Sequence, residues 1–183
     1  MINPRSRCRD IALQLLYMED QNSWKGTLNH QRFVTNRMID PNYRKPILEM
    51  VQGVQEDRER IDAMINEIAS NWRTDRMPAI DRNILRLGAY ELIISAKAPM
   101  KVVITEAIEL AKRYGSAQSS RFINAVLSKM HDRHRQDKDK ARADSDAAVE
   151  MTEMPASGVE KAVEETSASI SPSTPAPGDE ATP

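Results

Sequence analysis

Long apolar runs, paired cysteines and glycine-rich motifs are all missing from this 183-residue sequence. It holds no run of 18 apolar residues and no signal-type apolar core near the N-terminus, so we expect a cytoplasmic protein with no membrane partner. The single cysteine, Cys8, excludes an internal disulfide and fits a reducing compartment. The six glycines are scattered singly, which leaves no phosphate-binding loop and no dinucleotide fingerprint.

Residues able to carry catalysis or hold a metal ion are equally sparse. His131 and His134 lie three apart without further ligands nearby in sequence, so we interpret them as solvated residues at a helix end. Cys8 has basic neighbours but no nearby His to form a nucleophile pair. Glu106 and Glu109 are followed one turn later by two basic residues, which indicates a salt-bridged helix face. We therefore predict a protein that is not an enzyme and that needs no metal and no cofactor.

Charge and composition divide the chain into two parts. Residues 1–134 hold 21 Lys and Arg against 16 Asp and Glu, whereas residues 135–183 hold 5 against 11. The second part is rich in Ser, Thr, Pro, Ala and Glu, which bury too little apolar surface to offset the entropy of ordering. We predict a helical domain over 1–134 and a disordered acidic tail over 135–183. The tail is either merely solvated or a competitor for the protein's own basic site.

Apolar residues before residue 131 recur with a period near 3.6, which predicts helices and no strand. Asn3 and Pro4 are typical of a helix start, as N-cap and first helical residue. Residues 21–31 look like a loop, with a short helix over 32–39. Further helices are predicted to begin at Pro46, after a break at Asp57, at Pro78, at Pro99 with an end at Gly115, and over residues 116–130. The whole indicates an all-α bundle of about seven helices.

Two groups of basic residues stand out in the helical part of the sequence. Arg5, Arg7 and Arg9 lie in the first turns of a helix, where the dipole favours acids. A second group near Gly115 combines basic and aromatic side chains: Lys112, Arg113, Tyr114, Arg121 and Phe122. Basic residues neutralise phosphates and aromatic rings stack on unpaired bases, so the two groups together would favour single-stranded RNA. Each group alone is also consistent with a solvated helix end.

Three motifs, in order, resemble the NusB family. RCRDIALQLLY is similar to that family's first helix, IDRNILRLGAYEL to its central helix, and ITEAIELAKRYGSAQSSRFINAVLSKM to its last two helices. The resemblance runs from about residue 5 to residue 131. It implies a NusB-like fold of two small helical subbundles and a role in transcription antitermination.

The resemblance also implies the partners. Members of this family bind the boxA element of ribosomal RNA leaders as single-stranded RNA, together with a small-subunit ribosomal protein called NusE. The pair joins an antitermination complex on RNA polymerase and catalyses no reaction. Some members self-associate, and the sequence leaves a homodimer open.

Site residues follow from the resemblance position by position. The arginines and the lysine would contact phosphate, the aromatic rings would stack on bases, and the amides and the serine would make polar contacts. The RNA-binding set is Arg5, Arg7, Arg9, Gln14, Lys112, Tyr114, Gln118, Ser119 and Phe122. The set implied for the ribosomal-protein partner is Asp81, Arg82, Arg86 and Glu91.

The sequence departs from the family pattern at several positions, and two other functions compete. Thr105 stands where Asn is usual, Ala125 where Gly is usual, and the uncharged Gln118 where some members carry an acid. One alternative is the NusB-like domain of ribosomal RNA cytosine methyltransferases, which would need a cofactor-binding domain, whereas about fifty low-complexity residues follow the helical part here. The other is a helical protein–protein adaptor without an RNA role.

Overall fold

The computed structural model describes residues 3–22, 27–70 and 72–152, and these residues form seven α-helices and no strand. The helices are α1 Pro4–Asn22, α2 Thr27–Arg37, α3 Arg44–Glu56, α4 Arg58–Ile68, α5 Ala79–Ala89, α6 Met100–Tyr114 and α7 Ser119–Thr152. Short 3-10 turns precede α3 and α5, and a π-helical segment, Tyr90–Ser95, continues α5. The prediction of an all-α bundle of about seven helices is confirmed.

Local capping signals place the helix boundaries where the sequence predicts them. Asn3 Oδ1 accepts a hydrogen bond from the Arg5 backbone N–H at 2.9 Å, and Pro4 is the first residue of α1. Asp57 separates α3 from α4, and its N–H donates to the Gly53 carbonyl at 3.2 Å. The first bond satisfies a backbone donor at a helix N-terminus and the second a backbone acceptor at a helix C-terminus, groups that a helix end otherwise leaves without partners.

The core lies around α5, which packs against α1, α3, α4 and α6. Eight of its eleven residues are buried, as expected for a helix with apolar positions over most of its circumference. Gly88 lets α7 approach closely, since a Cβ at this position would lie 2.7 Å from Leu127. Gly53 of α3 does the same for the Tyr90 ring, which a Cβ would meet at 2.2 Å. A side chain at either glycine would therefore force the Leu127 or Tyr90 side chain out of its packed position.

The predicted loop over residues 21–31 is wrong at its C-terminal end, because α2 already begins at Thr27. His30 and Val34, four residues apart, are both buried against the rest of the protein. His30 Nε2 also lies 2.6 Å from Glu19 Oε1 of α1. Histidine counts as a polar residue in a hydrophobicity pattern, so the pattern does not indicate that His30 is buried. The contact between His30 and Glu19, which holds the first turn of α2, could therefore not be predicted from the sequence.

The last helix is longer than the predicted domain. Residues 1–141 form one compact unit, and α7 continues through residues 135–152, which the sequence assigns to the disordered tail. The stretch after residue 132 alternates basic and acidic residues, and Arg133 Nε lies 3.8 Å from Asp137 Oδ2, an i,i+4 pair of the kind that supports an exposed helix. The rest of the predicted tail, residues 153–183, lies outside the described residues.

Candidate RNA interface

The first helix meets the end of α6 at one buried carboxylate, that of Asp10, which is 1% exposed. The Tyr114 hydroxyl donates to Asp10 Oδ1 at 2.5 Å, and Gln14 Nε2 donates to the same oxygen at 3.1 Å. Arg7 Nη1 donates to Oδ2 at 2.7 Å, and Arg113 Nη1 lies 3.4 Å from it. These five residues are the Asp10 cluster. The fold therefore brings the two basic groups of the sequence together.

Three members of the Asp10 cluster remain open to solvent. The side chains of Arg7 and Arg113 are 40% and 41% exposed, and Tyr114 is 38% exposed. A guanidinium carries five N–H donors, and each of the two arginines donates one hydrogen bond to Asp10. Both arginines therefore keep N–H donors that a ligand could use. Burial and the hydrogen bond to Asp10 raise the pKa of Tyr114, which keeps its hydroxyl protonated as the donor. The cluster presents two cations and an aromatic face in fixed positions.

Three further residues of the predicted RNA set lie on the surface. Arg5, Lys112 and Gln118 are all exposed. The Lys112 ammonium lies 2.7 Å from Glu109 Oε1, but both side chains are more than half exposed, so this pair is weak and can exchange for an anion. Positive charge therefore continues from the Asp10 cluster along α1 and α6.

Arg9 differs from its two neighbours because it is buried, with 7% of its surface exposed. Its Nε donates to Glu91 Oε2 at 2.8 Å and its Nη2 to Glu91 Oε1 at 2.8 Å. Burial would lower the pKa of Arg9, but the bonds and charge of Glu91 outweigh burial and raise it. Glu91 thus occupies two of the three guanidinium nitrogens, and the third, Nη1, lies 4.0 Å from Glu106 Oε2. The geometry thus gives Arg9, assigned to RNA, and Glu91, assigned to the partner, a shared role in tying α1 to the π-helical segment.

The remaining residues of the predicted RNA-binding set, Ser119 and Phe122, lie at the start of α7, next to the turn that follows α6. Ser119 is 2% exposed, and its Oγ accepts the Ser116 backbone N–H at 2.9 Å, so it shapes the turn instead of facing a ligand. A Cβ on Gly115 would lie 2.7 Å from Ser119, so only glycine fits there. Phe122 is half-buried and its ring centroid lies 6.3 Å from that of Trp72. Phe122 therefore stands beside an aromatic residue that the sequence did not single out.

The residues implied for the ribosomal-protein partner face mainly inward. Asp81 and Arg86 are 6% and 4% exposed, and only Arg82 is merely half-buried. Arg86 holds both oxygens of Asp62, at 2.8 and 2.7 Å, and Asp20 at 3.2 Å. Of the four residues implied for the ribosomal-protein partner, Arg82 is therefore the one that a partner could contact directly.

Asp20 of α1 is the centre of this inward-facing network. Arg82 and Arg86 both bind its carboxylate, and the half-exposed Arg58 lies 3.2 Å from it. Burial would raise the pKa of Asp20, but the bonds and charges of Arg82 and Arg86 outweigh it and hold the pKa below its usual range. Asp20, Asp62, Arg58, Arg82 and Arg86 are the Asp20 cluster, which joins α1, α4 and α5.

Sequence reasoning missed Asp10, Arg113 and Trp72 as site residues. Asp10 had a local signal, since it lies three residues after Arg7 and four before Gln14 on one helix face. Arg113 belongs to the second basic group of the sequence, but the RNA-binding set that the family resemblance implies does not include it. Trp72 is 56% exposed, and its ring lies beside that of Phe122, fifty positions further along the chain, which no local pattern encodes.

Nucleophilic and metal chemistry find no support in the part of the chain that the structure describes. Cys8 is buried, and burial raises the pKa of its thiol more than Arg9 and Arg5 lower it, as expected for an inert thiol. No three His, Cys, Asp or Glu side chains among the described residues lie close enough to hold a metal ion. None of the described helices is long and apolar enough to span a bilayer.

Comparison with known proteins gives one consistent result. Residues 6–132 match the model of the NusB family. The chain is 40% identical over 126 residues to the transcription antitermination protein NusB of Sorangium cellulosum, which covers 69% of this chain and 90% of that protein. It is 47% identical over 132 residues to that of Myxococcus xanthus, covering 67% and 90%.

A solved structure described as antitermination factors NusB and NusE in complex with dsRNA matches with a TM-score of 0.65 and 27% identity, covering 72% of this chain and 98% of that one. The family model covers all three motifs. It also covers the helices, except that α1 begins two residues before the matched range and α7 continues beyond it. This chain belongs to the NusB family of transcription antitermination proteins.

Proposed function

We propose that this protein binds boxA-type single-stranded RNA of ribosomal leaders together with the ribosomal protein NusE, and joins the antitermination complex on RNA polymerase without catalysing a reaction. The observation that carries the proposal is the Asp10 cluster. It fixes two half-exposed arginines and an exposed tyrosine ring at the junction of α1 and α6. An unpaired strand offers both the phosphates and the base faces that such a surface binds.

The proposed RNA face consists of the exposed or half-exposed residues. Arg5, Arg7 and Lys112 neutralise phosphates, to which Arg113 adds a fourth positive charge. Tyr114 and Phe122 stack on bases, and Gln14 and Gln118 contact base edges, because an amide both donates and accepts hydrogen bonds. Ser119 acts by shaping the turn that carries Gln118, and Arg9 by holding α1 in place.

The proposed NusE contact lies near α5, where Arg82 is the member of the implied set that a partner reaches without opening the fold. The solved NusB and NusE assembly with RNA, named above, supports pairing of this kind for a family member. We propose further that residues 135–183 are dispensable for the folded domain, since they carry an acidic excess and little apolar surface.

A binding titration tests the proposal. Labelled boxA-type RNA and a scrambled control are titrated with the full chain, with and without NusE, at two salt concentrations. We expect tighter binding of the boxA-type RNA, a further gain with NusE, and a loss of affinity at the higher salt concentration because phosphate contacts release counterions. Equal, weak binding of both RNAs under every condition would rule out the proposal, and binding of NusE alone would favour the adaptor function.

A further inference from the structure

Three clefts lie next to one another beside the proposed RNA face, since neighbouring clefts share lining residues. A cleft of about 750 Å³ between Trp72 and Phe122 shares Pro78, Asp81 and Ser116 with a second cleft of about 230 Å³. The second cleft shares its Tyr17, Ile80 and Tyr114 walls with a third of about 270 Å³, which ends at Phe33 and Arg37. The three clefts together are the aromatic groove.

Most of the described aromatic residues line this groove. Of the seven, five do so: Tyr17, Phe33, Trp72, Tyr114 and Phe122. Tyr17, Trp72 and Tyr114 are 38%, 56% and 38% exposed. The rings of Trp72 and Phe122 lie next to each other, with centroids 6.3 Å apart, and contiguous exposed apolar patches, unlike single exposed rings, mark interaction sites. The family resemblance accounts for only Tyr114 and Phe122.

The charges along the groove suit an anion. The Arg37 guanidinium lies 4.0 Å from the centroid of the Phe33 ring at one end, and Arg121 lines the other end. In the middle, Tyr114 lines the groove and donates to Asp10, the carboxylate that Arg7 and Arg113 also bind. Among the described lining residues Asp81 is the single acid. Repeated rings with interleaved cations are the pattern that binds unpaired nucleic acid, because a duplex hides its base faces.

We propose that the aromatic groove carries the single-stranded RNA beyond the face around the Asp10 cluster, with Trp72 as a stacking site at one end and the Arg37-covered Phe33 ring at the other. This inference rests on the proposed RNA binding, and it adds Trp72, Tyr17, Phe33 and Arg37 to the contact surface. A strand that fills the groove must be longer than one that covers the Asp10 cluster alone, so the two ends should matter only for longer RNA.

Truncated RNAs and tryptophan fluorescence test the groove. A boxA-type RNA and a version shortened at both ends are titrated with the full chain and with the Trp72→Ala and Arg37→Ala variants. Each variant should lose about fivefold or more in affinity for the longer RNA and little for the shorter one. In a Trp24→Phe background Trp72 is the sole indole, and the longer RNA should quench its fluorescence.

Matched variants off the groove serve as controls. Arg32→Ala removes another exposed arginine of α2, and Ile39→Ala removes a 90% exposed apolar side chain, so neither should change RNA binding. Circular dichroism melting curves verify that every variant is folded.

Three outcomes would overturn the inference, and they differ in what they leave standing. In the first outcome, boxA-type RNA binds, but the two groove variants behave as the controls do and the fluorescence of Trp72 is not quenched. The RNA then does not bind along the aromatic groove, and the proposed function survives. If boxA-type and scrambled RNA bind equally weakly, both proposals fall. If Trp72→Ala abolishes binding of NusE and leaves RNA binding intact, the groove is a protein-binding site.

Discussion

Two clusters on the same helix are built alike and behave differently. Asp10 and Asp20 both lie on α1, both carboxylates are nearly inaccessible, at 1% and 6% exposure, and both are surrounded by arginines. Around Asp10 the arginines stay about 40% exposed, whereas two of the three arginines around Asp20, Arg82 and Arg86, are 15% and 5% exposed, and only Arg58 is half-exposed. The Asp10 cluster thus leaves its arginines open to solvent, whereas Arg82 and Arg86 of the Asp20 cluster join helices in the interior. On the proposed function, the exposure of the arginines distinguishes a binding surface from an internal network.

The largest effect should follow from Arg86→Ala, which breaks the Asp20 cluster. The substitution leaves Asp62 without its bidentate partner and Asp20 with Arg82 and the half-exposed Arg58. Removing one partner of a buried ion pair costs about 3–5 kcal/mol, and we expect the lower end because Arg82 still neutralises Asp20. Urea unfolding of both proteins measures the difference in free energy of unfolding.

Arg58→Ala is the matched control for Arg86→Ala, since Arg58 binds the same carboxylate from a half-exposed position. It should cost less than about 1 kcal/mol. Equal losses in the two variants would mean that burial does not distinguish the arginines of this cluster.

Asp10→Asn should have a smaller effect on stability and a distinctive effect on Tyr114. Loss of a buried carboxylate that accepts from four side chains should cost about 1–3 kcal/mol. The pKa of Tyr114, raised by burial and by the bond to Asp10, should fall toward its ordinary value because the negative charge beside it is gone. Ultraviolet absorbance during an alkaline titration measures the tyrosine ionisations, and subtracting the curve of Tyr114→Phe identifies the one that moved. An unmoved Tyr114 ionisation would show that Asp10 does not hold this ring.

Acid should weaken the Asp20 cluster in a defined pH range. The folded-state pKa of Asp20 lies below its ordinary value of about 3.9, so its contribution to stability is complete above that value and is lost as the pH falls through the lower, folded-state pKa. The free energy of unfolding of the wild-type protein should therefore fall more steeply below about pH 4 than that of Asp20→Asn. Asp75→Asn, at an exposed carboxylate, controls for loss of one negative charge. Parallel curves for wild type and Asp20→Asn would contradict the assignment.

The sequence predicted what local chemistry decides and failed where distant contacts decide. The cap at Asn3, the break at Asp57 and the helix end before Gly115 all depend on residues within one turn, and all are confirmed. The Arg9–Glu91 and Tyr114–Asp10 contacts join residues 82 and 104 positions apart, which no local pattern encodes. The three arginines Arg5, Arg7 and Arg9 therefore looked equivalent in the sequence. Arg9 differs from the other two because it packs against the π-helical segment and is buried there.

Arg7→Ala should give the smallest effect and bears most directly on the comparison of the two clusters. Arg7 is 40% exposed and, among the described residues, its side chain makes its hydrogen bond and ion pair with Asp10, so its loss should leave the free energy of unfolding within about 1 kcal/mol of wild type. On the proposed function it removes one phosphate contact, which lowers RNA affinity and reduces the slope of log affinity against log salt by about 0.7 for a single strand. Arg32→Ala, at an exposed arginine of α2, should leave that slope unchanged. An Arg7→Ala variant with the wild-type slope would show that the half-exposed arginines of the Asp10 cluster serve the fold, as those of the Asp20 cluster do.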